Sequence, residues 1–189
     1  MGMSTSGFVV VRLDALGAEE REHSAQSAID WLTSERVIAP LAESLWRRPD
    51  LNFGSWGPDV EWAKAAAQPL PDAWQSSPGE EVDVSADRDM VSASGNSEDF
   101  TCPQCSTAIG SGDPLGKLIE QWMEHGEPVA TCVSCGWASP LGDWPSHYPP
   151  ALVGGPTITF YRWPEFDPDF VARLVTQLGG RCRTFWTHI

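Results

Sequence analysis

No stretch of this 189-residue chain approaches the roughly 20 consecutive apolar residues that a membrane-crossing helix requires. The N-terminus, "MGMSTSGFVVVRLD", has no basic region ahead of its short apolar burst, which argues against an export signal and sets the expectation of a cytoplasmic protein. Positive charge is scarce: 12 lysines and arginines face 26 aspartates and glutamates, for a formal net charge of -14. A chain of that sign repels a phosphate backbone unless its few cations gather on one face, and no such gathering is visible. The phosphate-binding loop, the dinucleotide fingerprint, the His-Glu-x-x-His zinc motif and the Gly-x-Ser-x-Gly elbow are all missing, which removes the chemistries those motifs carry.

Cysteines are few but ordered. Cys102 and Cys105 form one Cys-x-x-Cys pair and Cys132 and Cys135 a second, with 26 residues between the pairs. Two thiolates two residues apart reach one ion from a tight turn, and two such turns together supply the four soft ligands of a closed tetrahedral site. A disulfide framework would need an oxidising compartment, and a redox Cys-x-x-Cys would normally occur once. At "CPQC" and "CVSCG" the chain resembles the zinc-ribbon superfamily, over about residues 101–147. The resemblance implies one structural zinc held by Cys102, Cys105, Cys132 and Cys135 on two turns at the tips of short hairpins. Four cysteines close such a site, so neither His125 nor His147 is required as a ligand and no open position remains for metal-assisted hydrolysis.

Between the two turns, Leu115, Leu118, Ile119, Trp122 and Met123 fall on one helical face, with Pro114 near the start and Gly126 just past the end. Outside 101–147 a weak repetition appears. Strand-like 7–14 precedes helical 18–36, whose Ala25, Ala28, Ile29 and Leu32 share a face; "EEVDVSA" at 80–86 is the weakest strand. Strand-like 157–163 then leads to a helix over 168–178, capped by Asp167 and stopped by Gly179, and to a last strand in "RCRTFWTHI". The order β-α-β, insertion, β-α-β predicts an α+β ferredoxin-like sandwich. Residues 1–100 and 148–189 would form its core and 101–147 a zinc-ribbon insertion with a short helix. Residues 37–79 read as irregular, with a short helix around 60–67.

Function is expected from charge and aromatics rather than from a motif. Between 79 and 99 lie Glu80, Glu81, Asp83, Asp87, Asp89, Glu98 and Asp99 against Arg88 alone, a solvated acidic face on which Asp87 and Asp89 are candidate partner contacts. Ten tryptophans are expected mainly as core fillers, with Trp137 and Trp144 as candidate partner anchors in the Pro-rich stretch after the second turn. The leading expectation is a non-catalytic bacterial-style binding protein for a basic protein partner, such as an immunity-type or inhibitory protein. One alternative is a nucleic-acid-associated ribbon, although 101–147 carries five acids against Lys117. Another is a small enzyme using Arg162, Arg181 and Arg183 for an anionic substrate over the sheet. Cys182, near His188 in the last strand, is expected to be a buried thiol rather than a nucleophile.

Overall fold

In a computed structural model, residues 6–41, 53, 55–70, 79–95, 97–109 and 112–188 are described. The chain folds as a mixed α/β protein with antiparallel sheets. Strand β1 (Ser6–Arg12) carries the β-branched run Val9-Val10-Val11 and is buried on both faces. Helix α1 (Ala18–Ser34) follows; the Glu20 carboxylate accepts the Gly17 N–H at 2.9 Å and fixes its first turn. Next come β2 (Ile38–Pro40), β3 (Ser55–Pro58), a 3-10 turn at Trp62–Ala65, β4 (Val82–Ser85) and β5 (Asp89–Val91).

The second half holds α2 (Asp113–His125), β6 (Val129–Thr131), β7 (Ala138–Pro140), β8 (Leu152–Gly154), β9 (Thr157–Tyr161), α3 (Pro168–Leu178) and β10 (Cys182–His188). Asp167 caps α3 as its residue type suggests, its Oδ1 accepting from the N–H groups of Asp169 at 2.9 Å and Phe170 at 3.0 Å. Gly179, at φ 71°, ends the helix in a conformation that glycine adopts without strain. No helix among the described residues is long and apolar enough to cross a membrane.

Six strands form the main sheet in the order β10-β1-β9-β4-β3-β2, and two further pairs, β5-β8 and β6-β7, stand apart from it. β1 lies between β10 and β9 and pairs antiparallel with both, Val9 opposite Phe185 and Val10 opposite Ile158. Alternation along the strands sorts their side chains into two cores. Phe8, Val10, Val82, Val84, Ile158 and Phe160 pack under α1 and α3 against Ile29, Leu32, Phe170 and Leu174. Val9, Val11, Leu13 and Phe185 face the other way and meet Phe100, Trp122, Leu141 and Trp144. Each such large side chain, fully buried, contributes about 1.5–3 kcal/mol of transfer free energy.

Two expectations are corrected here. Residues 37–79 contribute the β2-β3 hairpin that extends the sheet, and near 60–67 only the 3-10 turn forms. Glu81 and Asp83, expected on a solvated face, are buried. The tryptophans do fill cores where the chain is described: Trp163 is buried in the helix-side core with Trp31, Trp56, Trp62 and Trp186 packed against it. Trp46 and Trp74 lie outside the described residues.

Candidate metal centre and its surroundings

Residues 101–108, Thr-Cys-Pro-Gln-Cys-Ser-Thr-Ala, and 131–138, Thr-Cys-Val-Ser-Cys-Gly-Trp-Ala, share a pattern and fold as two copies of one turn. Thr101 bridges Ala108 as Thr131 pairs with Ala138. The Cys102 N–H donates to the Thr107 carbonyl oxygen at 2.8 Å, and the Cys132 N–H to that of Trp137 at 2.7 Å. Each turn closes on its first cysteine: Ser106 N–H to Cys102 O at 2.8 Å, Gly136 N–H to Cys132 O at 2.9 Å. This geometry needs a left-handed corner, taken by Gly136 at φ 76° and by Ser106 at φ 58°.

The turns face each other and bring the four cysteines together. Cys102 Sγ lies 3.5 Å from Cys135 Sγ, Cys105 Sγ lies 3.5 Å from Cys132 Sγ, and all four sulfurs fall within 4.8 Å of one another. A disulfide would bring a pair to about 2.0 Å. Four sulfurs bonded tetrahedrally at about 2.3 Å sit about 3.8 Å apart, so the cage has the size one metal ion needs. Cys102 and Cys132 are buried and Cys105 and Cys135 exposed, so the cluster is wetted on one side.

Protons and a metal compete for these sulfurs. The Thr107 hydroxyl, 3.3 Å from Cys105 Sγ, and the Thr107 N–H draw the Cys105 thiol down to about 6. The Trp137 N–H likewise favours the Cys135 thiolate, but desolvation and the bonds with Cys102, Cys105 and Cys132 outweigh it and push Cys135 up to about 12. Without a cation the cage accepts one negative charge readily and resists further ones; a divalent ion would make all four thiolates compatible.

The surroundings hold this cage on the sheet. Trp144 is fully buried beneath the turns, meets Trp137 edge-on at 4.9 Å between ring centroids, and donates its Nε1–H to the Ser139 carbonyl oxygen at 3.3 Å. Trp144 is therefore a core residue, and the surface-anchor role expected of it does not fit its burial; Trp137 is half-buried. Asp87 and Asp89 are both exposed. Cys182 donates its thiol to the Gly179 carbonyl oxygen at 3.4 Å and burial pushes it up to about 11, while His188, at the far end of the strand, packs beside Tyr148.

What residue pattern could not reveal is how the arginines are used. Arg183 donates Nη1 to the carbonyl oxygens of Gly142 at 2.5 Å and Trp144 at 3.1 Å, and Nη2 to that of Ser146 at 3.1 Å. Arg181 pairs with Glu127, whose other carboxylate oxygen accepts the Gly142 N–H at 2.6 Å. Arg88 donates to the Trp122 and Met123 carbonyl oxygens in the last turn of α2. Arg21 reaches the Ala86 and Leu16 carbonyl oxygens at 2.7 and 2.6 Å, and Arg12 the Leu178 carbonyl oxygen at 2.7 Å. Arg162, by contrast, pairs at the surface with Glu80 at 3.0 Å. Five cations thus clamp the chain to itself, and Asp87 and Asp89 project outward on either side of an arginine that turns in.

Together these features describe a mixed α/β protein with antiparallel sheets and four cysteines positioned to hold one metal ion. No protein-family model matches the chain, and no solved structure matches it. Squalene–hopene cyclase from Zymomonas mobilis subsp. mobilis is 42% identical to it over 41 residues, which make up 22% of this chain. The chain spans only 6% of that protein's length, so the likeness is local.

Proposed function

We propose that this chain is a non-catalytic, zinc-stapled module that binds a basic protein, in the manner of an immunity-type or inhibitory partner. The observation that carries the reading is the inward turn of the arginines. Arg12, Arg21, Arg88, Arg181 and Arg183 bond to carbonyl oxygens or internal carboxylates. Their guanidinium groups are engaged within the chain, while Asp87 and Asp89 stay exposed on a chain of net charge -14. A surface of this kind speeds encounter with a basic partner and disfavours nucleic acid.

Zinc is the ion we assign to the cage, because four cysteine thiolates in a closed set suit it and the turns resemble those of zinc ribbons. We read β10-β1-β9-β4 with α1 and α3 as a ferredoxin-like sandwich, β2 and β3 as an addition to one edge, and 101–147 as the inserted ribbon. A cytoplasmic location accords with four unpaired thiols. The test is affinity capture of a partner from the native host, followed by binding at increasing salt. Binding should fall steeply with salt and fall again when Asp87 and Asp89 are both changed to Lys, with metal content and Tm unchanged. Capture of nucleic acid at physiological salt, or of a partner whose binding ignores salt and both substitutions, sinks the reading.

A further inference from the structure

β10 ends the main sheet, and its register shows which of its backbone groups β1 leaves unused. The Leu13 N–H donates to the Arg181 carbonyl oxygen at 2.8 Å, which makes Val11–Arg183, Val9–Phe185 and Gly7–Thr187 the pairs that exchange hydrogen bonds. Cys182, Thr184, Trp186 and His188 therefore turn their N–H and C=O groups away from β1. His188 has a partner there, its N–H donating to the Ala93 carbonyl oxygen at 3.4 Å. Among the described residues no backbone group pairs with the outward N–H and C=O of Thr184 and Trp186, and Thr184 is exposed. A sheet edge of this kind is a template for another strand.

We propose that an extended segment of the basic partner adds to β10 as a further strand of the main sheet. The proposal rests on the reading of a basic partner given above and deepens it to a site. Charge selects the occupant. Beside the edge lies an open cleft of about 630 Å³ whose lining includes Arg183 of β10, Glu98, Asp99 and His147. Arg183 directs its guanidinium to the Gly142, Trp144 and Ser146 carbonyl oxygens, and neither Glu98 nor Asp99 has an ion pair among the described residues. The cleft thus presents two carboxylates to the side chains of an added strand, and lysine or arginine at alternate positions suits them. A second copy of this chain would bring another charge of -14 to the same edge.

The probe is a blocked ten-residue peptide of alternating lysine and valine, with a glutamate–valine peptide as its counterpart. The lysine peptide should bind, more weakly as salt rises, and should slow amide hydrogen exchange at Thr184 and Trp186; the glutamate peptide should do neither. Thr184→Pro removes an N–H that β1 does not use, so it should weaken peptide binding about tenfold, equivalent to about 1.4 kcal/mol, without loss of the main sheet. Glu98→Lys together with Asp99→Lys should weaken it comparably and flatten the salt dependence. Exchange at Thr184 and Trp186 in the unsubstituted protein is independent of whether the proline variant folds. No binding by the lysine peptide, or binding that leaves those two amides exchanging as before, overturns the proposal. A captured basic partner that leaves them unprotected overturns it too, while leaving the proposed function standing; absence of any basic partner counts against that function instead.

Discussion

Ser106 and Gly136 are the same corner of two copies of one turn, each donating its N–H to the carbonyl oxygen of the cysteine four residues before it, at 2.8 and 2.9 Å. Both have positive φ, 58° and 76°, but only Gly136 is free of the Cβ that makes this region unfavourable. Left-handed backbone costs an L-residue roughly 1 kcal/mol. Ser106→Gly should therefore be neutral to stabilising by up to about 1 kcal/mol, and Gly136→Val should destabilise by at least about 1 kcal/mol and weaken metal binding. Thermal unfolding with a chelator competition reads both, and a stabilising Gly136→Val would refute the equivalence.

Metal stoichiometry should be one ion per chain, and Cys102→Ser or Cys135→Ser should abolish it. After chelation, Cys105, drawn down to about 6, should be the first thiol alkylated at neutral pH, well ahead of Cys182, which is pushed up to about 11 by burial. Timed alkylation with peptide mapping gives the order. Uniform rates at all five cysteines in folded protein would contradict the geometry described.

Asp14 links the end of β1 to the start of β10, its Oδ2 accepting from Arg12 Nε at 2.8 Å and from the Arg181 N–H at 3.0 Å. Partial burial works to raise its carboxyl, but the bonds from Arg12 and Arg181 and their charges outweigh it and hold it below the usual value. A depressed carboxyl contributes stability that is present above its unfolded pKa, about 3.9, and is lost as pH falls through the folded value. Asp14→Asn should therefore lower Tm at pH 7, and the gap to the unsubstituted protein should narrow below about pH 4. A gap that widens on acidification has the wrong sign.

Arg183 should be a stability residue. Its replacement by Met keeps much of the apolar stem but leaves the Gly142, Trp144 and Ser146 carbonyl oxygens without their charged donor, which should cost about 3 kcal/mol in denaturant unfolding. Lysine should not rescue it, because one ammonium cannot serve three acceptors in the geometry of a planar fork. A change under about 0.5 kcal/mol would mean that the clamp is dispensable.

The local signals were legible. The Cys-x-x-Cys spacing identified the cage because both members of each pair share one tight turn, and Asp167, Pro168 and Gly179 bounded α3 because caps are set by neighbours in sequence. The β2-β3 hairpin was not legible: Ser55-Trp56-Gly57-Pro58 has little strand propensity, and tertiary pairing with Val82 and Asp83 holds it. Glu81 and Asp83 alternate with Val82 and Val84, a pattern that reads as half-exposed, yet all four are buried in the fold. Arginines give the same letter whether they point in or out, so the clamps had no signal at all. Trp137 and Trp144 looked alike, yet Trp144 is fully buried and Trp137 half-buried, a difference set by tertiary packing.

β1 gives alternate residues to opposite cores, Phe8 and Val10 to the helices and Val9 and Val11 to the cysteine-bearing side. Sliding the strand by one position would exchange these sets and disrupt both cores at once, so misalignment has no half-satisfied form to settle into. An ion bound by the four cysteines would lock the turns on one side and so proofread the alignment of a strand it never touches, a correction the helices on the opposite side would inherit.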